Sequence, residues 1–149
     1  MALVYFLLSE NGRPRFRTIP EGNKKYRALG AWVIGEMGTH LGVCLDALAS
    51  VDDAVAGRPV EPWSSESFDT TISASGIRFQ NLYSEQERGA YTLDELHSVV
   101  EDYWRFLCTI PEQPDSYREY WPELPLPEAE VLLWERFWKR RHPYRGRLF

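Results

Sequence analysis

The side chains best suited to bind a metal ion are histidines and cysteines, and four of them could form one set. His40 and Cys44 stand four residues apart, which places both on one face of a helix. His97 and Cys108 would complete a zinc site of two cysteines and two histidines. Those two, however, lie in one predicted helix, about 16 Å apart along its axis, whereas zinc ligands converge to about 2 Å from the ion. We therefore predict no metal site.

Catalytic arrangements are equally difficult to assemble. The serines and cysteines lack the G-x-S-x-G motif and other local signatures of a nucleophile. Acidic pairs such as Glu101 and Asp102 are adjacent, and neighbouring residues of a helix point about 100° apart, so they do not face one site. The glycines of residues 28–42 match neither the P-loop nor the dinucleotide-binding fingerprint. We predict that the protein has no catalytic residues and no cofactor, and is not an enzyme.

A proline-rich loop, residues 111–127, is the main candidate for binding. Its centre places Tyr117, Tyr120 and Trp121 among acidic residues. Tyrosine and tryptophan surrounded by charges are typical of binding hot spots, and proline reduces the entropy that such a loop loses on binding. The same rings could instead cover the core beneath the loop, so two interpretations remain open.

Acidic residues in other predicted loops and hairpins extend this surface. Loop positions can enter a concave site of a partner, whereas acids on the flank of a helix would attract a partner from a distance. We predict that the partner-binding residues are Glu66, Asp69, Glu85, Glu87, Asp115, Tyr117, Glu119 and Trp121.

Charge is distributed unevenly along the chain. Residues 1–35 carry six Lys or Arg and two Asp or Glu, net +4, whereas residues 36–125 carry five and seventeen, net −12. The remaining residues, 126–149, carry six and three, net +3. The negative field of the middle region repels nucleic acid phosphates and attracts basic protein partners.

The basic C-terminal sequence KRRHPYRGR allows two interpretations. It could neutralise the acidic middle of its own chain, which we favour because positive residues also complement the end of the preceding helix. Alternatively, it could bind nucleic acid through phosphate contacts and stacking. His142 in this segment is expected to be solvated.

Five segments define the first part of the fold. Residues 3–8 and 15–19 are apolar or alternating runs around an Asn-Gly pair, which is typical of a tight hairpin. Residues 24–57 have a mostly helical pattern, weakened in the first half by several glycines. Residues 67–74 and 76–83 alternate around a Ser-Gly turn and predict a second hairpin.

Two further helices follow. Thr92 and Glu95 form an S/T-x-x-E capping box that begins a helix over residues 92–108. The last helix is predicted over residues 128–142, after the proline-rich loop. The order of elements predicts an α+β fold, in which three helices pack against an antiparallel sheet of two hairpins.

Length and composition predict one cytoplasmic domain. The chain has 149 residues, of which 44% are hydrophobic, enough for a single core. No apolar run approaches the roughly 20 residues of a membrane span, and no basic segment precedes the first apolar run as in an export signal. Cys44 and Cys108 are too few for a disulfide framework and are predicted to be reduced core residues. The oligomeric state is left open.

The middle of the chain resembles a known group of proteins. A long helix is followed by Trp63, by the hairpin FDTTISASGIRFQNLY and by the helix YTLDELHSVVEDYWRFL. This succession, over residues 38–108, resembles small bacterial α+β proteins of the YacL-like kind and, more usefully, immunity proteins of contact-dependent growth inhibition systems. The aromatic pair around Arg105 is similar to the aromatic end of the second helix in those proteins. The resemblance implies no enzymatic activity, no cofactor and a cognate toxin as partner.

These observations together predict a function. We expect a non-catalytic immunity protein that binds and neutralises a cognate toxin domain, a basic nuclease in keeping with the acidic middle region. The alternatives are a small housekeeping adaptor or a nucleic-acid-associated protein, and, less favoured, an enzyme with an unrecognised site.

Overall fold

The chain opens with a two-stranded hairpin that packs on a helix. The computed structural model describes residues 2–115 and 117–149. Strands β1 (Val4–Leu8) and β2 (Pro14–Thr18) pair antiparallel, which confirms the predicted first hairpin. The ring of Phe16, on β2, would lie 2.5 Å from a Cβ atom at Gly30, so only glycine permits this close approach.

Two helices follow, where the sequence pattern of residues 24–57 suggested one. They are α1 (Arg27–Met37) and α2 (Leu41–Val55). Gly38 ends α1 with φ at 50°, a left-handed value that suits glycine, and the chain changes direction before Leu41. The expected number of three helices is therefore wrong, because this break makes four.

The remaining strands form a second sheet. It contains β3 (Trp63–Ser64), β4 (Phe68–Ser73), β5 (Gly76–Asn81) and β6 (Arg88–Tyr91) in that spatial order, all antiparallel. The predicted hairpin of β4 and β5 is confirmed, but the prediction that both hairpins share one sheet is wrong. The first hairpin is a separate sheet of two strands, and the edge strands β3 and β6, of two and four residues, were not predicted.

The core lies between the four-stranded sheet and the helices. The indole N–H of Trp32 on α1 donates to the Thr70 hydroxyl on β4 at 2.9 Å, and its ring stacks on Phe79 of β5. Helix α2 is buried along most of its length, including Cys44 and Leu48. Over residues 2–115 and 117–149 the architecture is α+β, with two antiparallel sheets and four helices.

Helix α3 (Leu93–Cys108) begins where the capping box predicts. The Thr92 hydroxyl accepts the Glu95 N–H at 3.1 Å, and the Glu95 carboxylate accepts the Thr92 N–H at 3.0 Å. The hydroxyl of Tyr103 donates to the carbonyl of Gly38, which ties α3 to the turn between α1 and α2. This turn borders the candidate site described below.

Helix α4 (Leu126–Trp138) begins and ends earlier than the predicted range of 128–142. Lys139 ends it with φ at 55°, and residues 140–149 fold back on the protein. Ala129 and Trp134 bury one face of the helix. Within residues 2–115 and 117–149, no helix combines the length and the apolar character needed to cross a membrane.

Candidate functional site

The proline-rich loop between α3 and α4 is folded around one arginine. The side chain of Arg118 is 8% exposed, and its Nε atom lies 3.0 Å from Glu112 Oε1. Its guanidinium also donates to the backbone carbonyls of Tyr120, Trp121 and Leu124, at 2.8, 2.5 and 2.5 Å. Charge-assisted hydrogen bonds of this kind are stronger than neutral ones. One side chain therefore fixes the course of residues 117–124.

Two contacts attach this loop to α4. The hydroxyl of Tyr120 donates to Glu130 Oε1 at 2.5 Å. The guanidinium carbon of Arg136 lies 4.8 Å from the centre of the Trp121 ring, within the range of a cation–π contact. Trp121 was predicted to contact a partner, and its side chain is half-buried against α4.

Tyr117 projects from the same loop into solvent. It is 85% exposed, and the predicted binding residues Asp115 and Glu119 are exposed as well. Ser116, between them, lies outside the described residues. Residues 111–125 carry four acids and one arginine, net −3. Of these rings, Trp121 partly covers the protein surface, whereas Tyr117 is exposed and does not cover the core beneath the loop.

Two adjoining grooves lead from the loop to the end of α4. The first, of about 650 Å³, lies beneath the loop and is lined in part by Tyr117 and Glu119. The second, of about 550 Å³, lies between α2 and α4 and reaches Phe137 and Trp138. We name it the α2–α4 groove. The two are continuous because both are lined by Thr39, Leu41 and Leu126.

A partly buried carboxylate lines the α2–α4 groove. Asp46 Oδ1 accepts the indole N–H of Trp134 at 2.8 Å. Burial raises the pKa of Asp46, and hydrogen bonds from the Trp134 and Trp138 indole groups partly oppose this rise. Arginines pair instead with Asp52 and Asp53 further along α2, and no salt bridge within the described ranges includes Asp46. This carboxylate is desolvated without a paired cation.

Two large aromatic residues on the groove are exposed. Phe137 is 73% and Trp138 52% exposed, and their rings meet edge to face with centres 5.1 Å apart. Both residues belong to the apolar residues of the last helix, which also include Leu132, Leu133 and Trp134. Successive residues of a helix point about 100° apart, so no single face can bury all of these side chains.

The four acids predicted on the second hairpin lie at one end of the four-stranded sheet. The N–H of Leu82 donates to the carbonyl of Ser67 at 2.8 Å, which joins the segment before β4 to the turn after β5. The loop with Tyr117 lies on α2, α3 and α4 instead. The predicted binding residues thus fall into two groups, of which the sheet-end group comprises Glu66, Asp69, Glu85 and Glu87.

Two of the sheet-end acids have internal partners. Glu87 pairs with Arg27 on α1 at 2.7 Å, and Asp69 Oδ1 accepts the Ser64 hydroxyl at 3.1 Å. The other two acids of this group are exposed. Glu87 is therefore the member most engaged in holding the fold.

The basic C-terminal segment pairs with acids of its own chain. Arg145 holds both carboxylate oxygens of Glu135 on α4, at 2.8 and 2.5 Å. Arg140 and Arg147 reach acids on α2 at 3.9 and 3.6 Å. The intramolecular interpretation is confirmed for Arg140 and Arg147, whose partners lie in the acidic middle region, whereas Arg145 pairs with an acid outside that region.

His142 in that segment is buried, so the expectation that it is solvated is wrong. It is 1% exposed, its Nε2 lies 2.9 Å from the Leu45 carbonyl, and its Nδ1 accepts the Tyr144 N–H at 3.1 Å. A neutral ring with its proton on Nε2 satisfies both bonds. Burial lowers the pKa of His142. The expectation failed because the segment folds back on α2 rather than extending into solvent.

The remaining histidines and cysteines do not form one site. His40 is exposed, whereas Cys44 is buried and burial raises the pKa of its thiol. His97 Nε2 lies 3.4 Å from Glu101, at the edge of the core. Cys108 is exposed, contrary to the expectation of a core residue. In the described part of the chain, no three potential metal ligands converge.

The arrangement is suited to binding a protein. A rigid acidic loop with an exposed tyrosine stands beside a continuous groove that ends in exposed aromatic rings, and such features are typical of interaction surfaces. Comparison of the chain with protein-family models, with curated proteins and with solved structures found no match.

Proposed function

We propose that this chain is a non-catalytic immunity protein that binds and neutralises a cognate toxin domain, a basic nuclease. The observation that supports this most strongly is the loop that Arg118 holds in place, with a net charge of −3 and Tyr117 exposed. A loop ordered before binding loses little entropy when it docks. An exposed tyrosine supplies the kind of anchor that dominates binding energy in protein interfaces.

Electrostatic attraction would bring the two proteins together. A nuclease must carry a basic surface to hold phosphates, and residues 36–125 of this chain carry a net charge of −12. Opposed fields raise the rate of association. In this proposal acids on the flank of α3, such as Glu101 and Asp102, attract the toxin. The anchoring contacts come from the sheet-end acids and from Asp115, Tyr117, Glu119 and Trp121.

The proposal includes a cytoplasmic location, where an imported nuclease would reach nucleic acid. The two cysteines are free, in keeping with a reducing compartment.

The direct test is rescue of a poisoned host. The first step is to search the genes beside that of this chain for a large secreted protein with a variable C-terminal domain. That domain is then expressed in a sensitive bacterium, with and without this protein. We expect co-expression to restore growth and the two proteins to co-elute on size exclusion. Tyr117→Ala should weaken rescue, and Tyr5→Ala, which removes an exposed tyrosine from β1, is the matched control. Undiminished toxicity in the presence of a soluble, folded protein would refute the proposal.

Ionic strength gives a second test on the purified pair. The Debye length falls from about 30 Å at 0.01 M salt to about 8 Å at 0.15 M. Association should slow markedly over this range while dissociation changes little. Salt-independent association would mean that the acidic middle region serves solubility alone.

A second candidate function, association with nucleic acid, is favoured by one surface. Arg15 and Arg17 are exposed on one face of β2, opposite Leu7 and Tyr5 of β1. Their spacing of roughly 7 Å along the strand would suit successive phosphates beside an aromatic ring. Binding of single-stranded RNA that is lost in the Arg15→Ala/Arg17→Ala variant, together with failure of the unmodified protein to rescue the host, would favour this alternative.

A further inference from the structure

The end of α4 exposes an aromatic surface above a carboxylate. Trp138 is 52% exposed, and its ring lies between the exposed Phe137 and the buried Trp134, with centres 5.1 and 6.2 Å away. Asp46 on α2 accepts the Trp134 indole N–H beneath this cluster. The α2–α4 groove therefore combines an open indole face with an acceptor of positive charge.

The same region already stacks arginine on tryptophan twice. Arg136 lies over Trp121 at 4.8 Å, and Arg140 lies over Trp134 at 5.1 Å. Arg140 also reaches Asp53, at 3.9 Å, so one of these pairs includes a carboxylate from α2. Trp138 is the neighbouring ring left open to solvent.

The charge of the groove is complementary to a cation. Its lining includes Asp46 and Glu130 but no lysine or arginine among the described residues. Both acids accept hydrogen bonds from neutral donors, Glu130 from the Tyr120 hydroxyl at 2.5 Å and Asp46 from the Trp134 indole at 2.8 Å, so both keep their charge. Asp46 is the one bonded to the aromatic cluster, and its partial removal from water makes it a stronger partner for a cation than an exposed acid.

Building on the proposed function, we propose that the α2–α4 groove receives an arginine side chain of the toxin domain. The guanidinium stacks on Trp138 and pairs with Asp46, and apolar residues beside the arginine contact Phe137. Arginine suits this site better than lysine, because its planar group stacks on an indole while its N–H groups remain free to bind a carboxylate. The groove is continuous with the one beneath Tyr117, so one partner can occupy both.

The test uses a defined probe rather than the toxin. A capped five-residue peptide with a central arginine between two leucines is titrated into the ¹⁵N-labelled protein, and the indole N–H signals are followed by NMR. We expect saturable shifts at Trp138 and Trp134, with a dissociation constant of about 1 mM or lower. The indole of Trp32, buried and bonded to Thr70, should not shift. A peptide with citrulline in place of arginine keeps the shape without the charge and should bind at least about tenfold more weakly.

The matching protein variant is Asp46→Asn. It retains an oxygen that can accept the Trp134 indole N–H and removes the charge, so it should weaken binding of the arginine peptide and leave citrulline binding unchanged. The control is Asp94→Asn, which removes the same charge from an exposed position on α3 and should leave both affinities unchanged. Thermal unfolding of each variant checks that the fold is retained.

Three outcomes would overturn the proposal. These are the absence of shifts at Trp138, equal binding of the arginine and citrulline peptides, and unchanged binding by Asp46→Asn. A fourth outcome that would overturn it is a dimer in which a second copy of the protein covers the groove. Sedimentation would then show a dimer, and the Trp138 signal would shift with protein concentration and not with added peptide. None of these measurements needs the toxin, so failure here is distinguishable from failure of the rescue assay.

Discussion

The proline-rich loop and the C-terminal segment are similar in composition, but the C-terminal segment buries side chains that the loop leaves exposed. Each follows a helix and combines aromatic rings with charges. Tyr144 in the C-terminal segment is 1% exposed, whereas Tyr117 in the loop is 85% exposed. Composition alone therefore does not decide whether such a segment belongs to the core or to a binding surface.

The difference follows from where each segment finds opposite charge. Arg145 in the C-terminal segment meets Glu135 on α4 through two hydrogen bonds, and neighbouring arginines reach acids on α2. The loop has a single arginine, Arg118, which pairs with Glu112, so its other acids have no loop arginine left to bind them. Three arginines of the C-terminal segment thus pair with acids of the fold. The other acids of the loop are exposed, namely Asp115, Glu119 and Glu123.

The largest effect expected from this comparison is on stability. Tyr144→Ala should lower the free energy of unfolding by about 3 kcal/mol, because it empties a fully buried aromatic site. Tyr117→Ala should change it by less than about 0.5 kcal/mol, as for most exposed positions. Chemical denaturation of both variants measures this. Similar losses for the two tyrosines would mean that the loop is as much a part of the core as the C-terminal segment.

A smaller effect is expected from pH, through His142. Burial lowers the pKa of His142 in the folded state, helped by Arg140 and opposed by the Leu45 carbonyl and by Glu135. The unfolded chain has the ordinary pKa of about 6.5. As pH falls below this value, the unfolded state takes up a proton that the folded state does not, so stability present at higher pH is lost.

The measurement compares denaturation at about pH 7 and about pH 5, where histidine changes charge. His142→Gln should show a smaller loss of stability between these two pH values than the unmodified protein. His40→Gln, which changes an exposed histidine, is the control and should leave the pH dependence as it was. An unchanged dependence in His142→Gln would show that the buried ring does not titrate in this way.

Sequence patterns that act over a few residues predicted much of the fold. Features that depend on contacts between distant residues were not predicted. The capping box at Thr92 and the turns of both hairpins act over a few residues, so the sequence identified them. The break at Gly38 was visible only as one of several glycines, and its role depends on how α1 and α2 pack. The burial of His142 depends on a contact with Leu45, nearly a hundred residues away in sequence.

For the candidate site, the sequence indicated the loop but not what orders it. Acids and aromatic rings between prolines predicted exposed contacts, and Tyr117 fits that prediction in exposure. Nothing in the sequence marked Arg118 as the residue that binds three backbone carbonyls, because those bonds depend on the folded course of the loop. The role of Asp46 was similarly hidden, since it arises from the distant Trp134.

Replacing Arg118 should loosen the loop without unfolding the protein. Lysine keeps the charge but lacks the planar fork that reaches three carbonyls and Glu112 at once. In Arg118→Lys, amide hydrogen exchange over residues 117–124 should accelerate by about tenfold or more, the factor expected from losing about one charge-assisted hydrogen bond. Arg105→Lys, at an exposed arginine paired with Asp102 on α3, is the control. Unaltered exchange in the loop would assign its order to the prolines rather than to Arg118.

The smallest effect on stability is expected for substitution of Tyr117. This residue is best compared with Trp121, the other aromatic residue of the loop that was predicted to contact a partner. Tyr117→Ala removes an exposed ring, so it should leave the free protein unchanged and weaken only the complex with the proposed toxin. We expect the dissociation rate to rise by about thirtyfold, which corresponds to a loss of roughly 2 kcal/mol of binding free energy. Trp121→Ala also removes the ring beneath Arg136, so it should disturb the loop in the free protein as well as raise the dissociation rate.

Surface-binding kinetics for dissociation and hydrogen exchange for loop order separate the two roles. If Trp121→Ala alters exchange but not dissociation, its ring supports the loop and Tyr117 is the anchor. If Tyr117→Ala leaves the dissociation rate unchanged, exposure of that tyrosine does not reflect binding, and the toxin contacts must lie elsewhere, at the sheet end or in the α2–α4 groove. Because both residues lie on one loop held by Arg118, the paired variants distinguish a side chain that touches the partner from one that positions the loop.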